Sequence, residues 1–271
     1  MLNPWVGMGV ILTIFGLLLV GLGAYRRWRS PDPEALRKLL HMGMGVVTLA
    51  LPWLFRRPWP VLLLALLFVF GLATLRFSRS LQRLAGGVID GVNRKSLGDI
   101  CFPAAVGLLF LLSGGDALTF CVPMLILTFA DAAAALIGTR YGVLRRHGAQ
   151  GRKSLEGSIA FFITAFLCVH IPLLLFTDTG RPETLLIATT LALQIMLLEA
   201  FAWDGLDNLF IPLGGLFLLK TLLESGVTAL LTLLGITAAM IFCALIRTKA
   251  HESGRTNRTY PAHPQAMQPH A

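Results

Sequence analysis

Long, nearly uncharged apolar runs recur along this chain, and they leave few folds open. A helix that crosses a bilayer needs about 20 mostly apolar residues, with a range of roughly 17–25. Pro4–Tyr25 meets that length. Met42–Phe55, Pro58–Leu75, Asp99–Leu112, Ala117–Ile137, Ile159–Phe176, Thr184–Trp203, Leu209–Leu219 and Gly226–Ile246 follow. The runs near 42–55, 99–112 and 209–219 fall short of a full span, so they are tilted, extended by polar turns, or partly re-entrant. The first run does not read as a signal peptide, because no basic residue precedes it and no small-residue cleavage site closes it. Soluble domains carry about 25% charged residues, whereas this chain has 14%, with 55% hydrophobic. That leaves too little polar surface for a water-soluble enzyme and too much apolar surface for a disordered chain. The expected fold is all-α: a polytopic membrane helical bundle of about nine transmembrane helices, residues 1–246 forming one unit.

The basic residues orient the bundle. Loops on the cytoplasmic side collect Lys and Arg. With the N-terminus outside, the inner segments are 26–41, 76–98, 139–157, 204–208 and the tail from 247. They hold five, five, five, none and four of the 23 Lys and Arg residues. Arg56, Arg57, Arg181 and Lys220 are the four left outside. The formal net charge of +9 is therefore mostly topology, and nucleic acid is not needed to explain it. The C-terminus is expected in the cytoplasm, with 247–271 a disordered tail: it is polar, carries Pro261, Pro264 and Pro269, and has no apolar period. Cys101, Cys121, Cys168 and Cys243 have no metal or CxxC spacing and read as small buried hydrophobes.

The carboxylates are distributed less evenly. Asp99, Asp131, Glu156, Glu199, Asp204 and Asp207 lie in or at the inner ends of the runs, and nothing comparable marks the outer half. An Asp at the centre of a spanning helix costs about 2.5–3.5 kcal/mol on insertion scales, so acids placed there point to a site. Asp131 lies about 9 Å inside the end of its run, at about 1.5 Å per residue. Ala134, Gly138 and Gly142 follow on the same helical face. Close helix packing explains the small residues; it does not explain Asp131, which needs either a function or a buried basic partner.

The next loop, Gly151-Arg152-Lys153-Ser154-Leu155-Glu156-Gly157-Ser158, has glycines, two cations, a hydroxyl and a helix start, which together suit an anion. It is not a Walker A loop, since Arg152 rather than Gly precedes Lys153 and no strand is expected. Ser154 as N-cap with Glu156 in the first turn is the plainer reading, and both can hold. A third cluster, Glu199 through Asp204 and Asp207 to Asn208, fills the one inner loop without a cation, and either binds a metal or cationic group or is a solvated turn. Asp99 in Gly98-Asp99-Ile100-Cys101-Phe102-Pro103 is a smaller case. Lys38 and His41 in Arg37-Lys38-Leu39-Leu40-His41 are another: the cations suit an inner loop and the lone histidine reads as structural.

From Arg37 to Leu213, roughly two-thirds of its length, the chain resembles the CTP-dependent lipid-alcohol kinases, which include dolichol, phytol and farnesol kinases and the yeast-type diacylglycerol kinase. Phe129-Ala130-Asp131 through Gly138 to Gly142, followed by Arg152-Lys153-Ser154-Leu155-Glu156-Gly157, resembles that family's proposed CTP-binding stretch. Asp207-Asn208-Leu209 to Pro212 is similar to an element of the phytol kinase branch, with Leu206 standing where a second acid is common. The order of these motifs and their shared membrane side make the set specific.

The resemblance implies transfer of the terminal phosphate of CTP to a lipid hydroxyl such as that of phytol, a polyprenol or diacylglycerol. It also implies a membrane-embedded lipid substrate and an active site at the cytoplasmic face. Phosphoryl transfer depends on charge stabilisation and alignment. Arg152 and Lys153 are expected to neutralise the triphosphate, with Ser154 beside them. Gly138, Gly142 and Gly157 let backbone approach it, and Asp131 and Glu156 hold Mg²⁺, which prefers hard oxygen ligands. One of Asp99, Asp204 or Asp207 orients the acceptor hydroxyl. The alternatives are a phosphatidate cytidylyltransferase-like enzyme, whose long Lys-Arg-x-x-Asp-x-Gly signature is absent, and a membrane transporter.

Overall fold

A computed structural model describes residues 3–29, 31–77, 97–143, 145–148, 151–202 and 205–256. Its helices are α1 (Pro4–Arg29), α2 (Pro33–Leu49), the single turn α3 (Leu51–Leu54), α4 (Trp59–Phe77), α5 (Gly98–Leu112), α6 (Ala117–Leu125) and α7 (Asp131–Tyr141). After a hairpin of two short strands come α8 (Leu155–Phe176), α9 (Arg181–Phe201), α10 (Asp207–Leu223) and α11 (Val227–Thr256). A π-helical turn, Ile126–Ala130, joins α6 directly to α7. Four segments are long and apolar enough to cross a membrane: α1, α6 through α7, α8 and α9. Trp59–Thr74, Gly98–Leu112 and Val227–Cys243 are shorter apolar helices. The protein is a multi-pass membrane protein whose outward faces are apolar, with Leu17, Val20, Phe70, Phe176 and Phe217 all exposed.

The α6–α7 segment is the spine. It packs against α2, α8 and α10, and Phe120, Val122, Met124, Ile126, Leu127 and Ala130 are fully buried along it. Around it α4 packs on α5, α5 on α10, α9 on α8, α10 and α11, and α1 on α2 and α4. Interhelical bonds define the two ends. At one end Trp5 meets Trp59 with ring centroids 5.4 Å apart, and Lys220 Nζ donates to Leu112 O at 2.9 Å. At the other end lie the starts of α2, α5, α8 and α10 and the ends of α7 and α9, joined by the contacts described below.

Three expectations need correction. The second apolar run was expected to begin at Met42, but its helix begins at Pro33. Asp32 caps it, accepting the Ala35 N–H at 3.0 Å, and Pro33 takes a first-turn position where no donor is lost. A search for apolar residues discards this polar turn, and with it the helical placement of Lys38 and His41. Second, strands do occur. Arg145–Gly148 (β1) and Gly151–Ser154 (β2) pair antiparallel, with Arg146 opposite Lys153 and Gly148 opposite Gly151. Four charged or small residues per strand carry no readable hydrophobic period. Third, the cysteines are free but not fully buried: Cys101, Cys121 and Cys168 are half-buried and Cys243 is exposed. An apolar environment for a thiol in this protein includes the lipid-facing surface.

The last helix runs past Ile246 to Thr256. Residues 257–271 of the tail lie outside the described residues.

Candidate functional site

Asp131 opens α7 immediately after the π-turn. Such a turn inserts one residue into the helical ladder and often accompanies functional positions. The Asp131 carboxylate is buried and its Oδ2 accepts from Lys38 Nζ at 2.6 Å. His41 Nε2 lies 3.8 Å from the same oxygen and donates to Leu127 O at 3.3 Å, a carbonyl of the π-turn. Because a carbonyl only accepts, that bond places the ring proton on Nε2. Lys38 and His41 are three residues apart on α2 and so share one face. His41 also stands edge-on to Phe102 of α5, with ring centroids 5.1 Å apart. Three helices therefore meet around one buried carboxylate.

A second ion pair lies where α8 begins. Lys153 is the third residue of β2, and its Nζ donates to Glu199 Oε1 at 2.7 Å and also to the Glu199 carbonyl. The two pairs differ in access: the side chains of Lys38 and Asp131 are 8% and 9% exposed, whereas those of Lys153 and Glu199 are 39% and 10%.

The glycines lie in the contact of α7 with α8. A Cβ on Gly138 would stand 2.9 Å from Ser154 Oγ, and one on Gly157 would stand 2.8 Å from Ala134 O. A Cβ on Gly142 would strike the Gly138 carbonyl and come within 2.6 Å of Ser154 Cβ. These glycines thus let two backbones approach closely. Ser154 caps α8, its Oγ accepting the Gly157 N–H at 3.1 Å. Glu156 Oε1 accepts the Val143 N–H at 3.1 Å and ties the chain leaving α7 to the first turn of α8.

The other expected residues are dispersed around this core. Asp99 is exposed in the first turn of α5 and faces an apolar cleft. Asp207 Oδ1 accepts the adjacent Asn208 N–H at 3.0 Å, while Asn208 Nδ2 donates to Gly98 O at 2.9 Å and joins α10 to α5. Arg152 stands opposite His147 in the hairpin. Asp204 lies outside the described residues. Asp131 and Glu156, expected to share a metal, are bonded to different partners, Lys38 and Val143 respectively. Among the described residues no three His, Cys, Asp or Glu side chains converge as a metal cluster.

Sequence reasoning passed over Lys38 and His41 as loop residues, and placed Glu199 with the acids of the α9–α10 turn rather than with Lys153. The available signal was the spacing of Lys38 and His41 by three residues beside an apolar stripe.

Fold and site together define a multi-pass helical membrane protein whose buried charges, among the described residues, gather at one end of the bundle. The chain is 30% identical over 212 residues to the phytol kinase of Synechocystis sp., a match that spans 78% of this chain and 88% of that relative. It belongs to the phytol kinase family, the group of lipid-alcohol kinases that its motifs resemble. No family model matches the chain, and no solved structure matches it.

Proposed function

We propose that this protein is an integral membrane kinase that transfers the γ-phosphate of CTP to the hydroxyl of an isoprenoid or related lipid alcohol, at the cytoplasmic face. The observation that carries the reading is the presence of two ion pairs, Lys38–Asp131 and Lys153–Glu199, at the same end of the bundle as the α7–α8 backbone contact, in a member of the phytol kinase family. A cytosolic nucleotide reaches that end from water, and a lipid alcohol reaches it sideways from the leaflet.

Of the two paired lysines, Lys153 is the one with access. Its ammonium sits on one carboxylate, and a triphosphate offers several charged acceptors to it at once, with Arg152 next in sequence. Glu199 holds that ammonium in place before the nucleotide arrives. Lys38 holds Asp131 in one orientation, and His41 fixes the α2 face against the π-turn. Asp131 and Glu156 supply the hard oxygens that would hold Mg²⁺; a kinase magnesium usually needs only one or two carboxylates beside the substrate phosphates, so a three-acid cluster is not required. When bound, the ion neutralises charge on the phosphate oxygens.

The test uses purified protein in lipid nanodiscs with a panel of lipid alcohols and CTP labelled at either the γ or the α phosphate, with ATP and UTP as competitors. The expected result is γ-label on the alcohol, with CTP preferred. Label from the α position on lipid would make the protein a cytidylyltransferase. No labelled lipid, with ion-coupled uptake into vesicles, would make it a transporter.

A further inference from the structure

An apolar cleft, open on one side, runs between α1, α2, α4 and α5. Along α4 its wall is Val61, Leu64, Ala65, Phe68 and Leu72, a single helical face. From Val61 to Leu72 the face is about 16 Å long at about 1.5 Å per residue. Phe15 of α1 and Met44 of α2 close the sides. Thr48 also lines the cleft, but its hydroxyl is spent on Gly45 O at 2.7 Å. Among the described residues, Asp99 is the one ionisable residue lining it.

The polar end of the cleft has a definite position. Asp99 and Phe102 lie within one turn of α5 at the charged end of the bundle, and Phe102 is the ring on which His41 rests. The cleft therefore begins beside the Lys38–His41–Asp131 centre and runs toward the opposite end of α4, where Val61 lies. Exposed Leu63, Leu66, Leu67 and Phe70 on the other faces of α4 meet hydrocarbon, so an apolar molecule can enter laterally.

We infer that this cleft holds the apolar chain of the acceptor alcohol, with the hydroxyl at Asp99 and the tail directed toward Val61. The inference rests on the kinase reading, which supplies the reaction, and it selects Asp99 from the three acids left unranked by the sequence. Asp207 bonds its own neighbour, Asn208, and does not line the cleft. In the transfer, the hydroxyl oxygen forms a bond to the γ-phosphorus while the bond from that phosphorus to the β–γ bridging oxygen breaks. CDP leaves with that electron pair, and the hydroxyl proton passes to Asp99. The bulk of the residues near Val61 then sets the longest chain that fits.

The test compares phytol with the shorter geraniol on wild type and on Val61→Phe, with γ-labelled CTP. Filling the far end of the cleft should raise the phytol KM by about 10- to 100-fold while geraniol and CTP constants stay near wild type, since a methylene or two in an apolar pocket carries discrimination of that order. Asp99→Asn should lower kcat on both alcohols without raising the CTP KM, and Asp99→Glu should restore part of it. In parallel, wild-type protein is photolabelled with an isoprenoid alcohol bearing a diazirine at its tail, and the expected adducts lie on α1, α2 or α4 near Val61. Wild type that phosphorylates neither alcohol would overturn the kinase reading itself. Active wild type with adducts on α8 to α11, or a Val61→Phe variant that loses both alcohols equally while remaining folded, would overturn the cleft assignment alone. If Val61→Phe does not fold, the adduct map decides.

Discussion

The two ion pairs at the charged end of the bundle have similar bond lengths and opposite settings. Lys38–Asp131 is buried on both sides and joins residues 93 apart in sequence; Lys153–Glu199 joins residues 46 apart and leaves its lysine 39% exposed. A buried pair returns little net stability over an apolar pair of the same volume, but removing one partner strands the other charge. In the second pair the carboxylate is 10% exposed but the lysine opens to water, so water and ions can replace part of what the lysine supplies and the cost of opening it is smaller. The first pair therefore acts as an anchor that holds α2 against α7. The second holds a cation where a ligand can take it over.

The largest effect expected is on the anchor. Lys38→Met leaves Asp131 buried without its cation and should cost about 3–5 kcal/mol, read as a lower melting temperature in detergent. The double variant Lys38→Met/Asp131→Leu should recover most of that stability and remain inactive, which separates the pair's structural part from its chemistry. A single variant that melts like wild type would remove the contrast between the two pairs.

Lys153→Ala should do the reverse. Its melting temperature should fall less than that of Lys38→Met, because water reaches the lysine's side of the pair, while phosphate transfer falls by about 10²–10³-fold, the usual cost of losing one charge-stabilising donor. Equal loss of stability and activity would make Lys153 a second anchor.

Two smaller changes act on the platform beneath Lys153 without touching the anchor. Gly142→Ala pushes a methyl toward the Gly138 carbonyl and Ser154, and should cost about 1–3 kcal/mol by overpacking. Ser154→Ala removes the cap of α8 and should cost about 1 kcal/mol. In both, nucleotide KM should rise before the melting temperature falls far. A lipid KM that rises instead would place the nucleotide elsewhere.

The helices were legible as apolar runs, because a membrane segment must be long and uncharged wherever it sits. The Ser154 cap was legible too, since it depends only on residues three apart. The missing parts have other causes. The first turn of α2 is polar, so a search for apolar residues begins after it, and Lys38 and His41 fell outside. The β1–β2 hairpin has no periodicity to detect. The π-turn before Asp131 depends on tertiary packing around Ile126–Ala130. Asp131 was read as needing either a function or a basic partner; the identity of that partner, 93 residues away, is written only in the packing of α2 against α7. Gly138 and Gly142 were legible as a small-residue face, but the element they accommodate, the Ser154–Gly157 turn, was not.

The central claim is that the accessible pair, not the buried one, receives the nucleotide's phosphates. The most direct measurement is transfer of γ-label from CTP to phytol by wild type and Lys153→Ala in nanodiscs, at matched melting temperatures. Labelled lipid phosphate from wild type and a loss of about 10²-fold or more in the variant is the predicted result. Transfer by the variant at the wild-type rate would contradict the claim, as would a wild type that places only the α-phosphate on lipid.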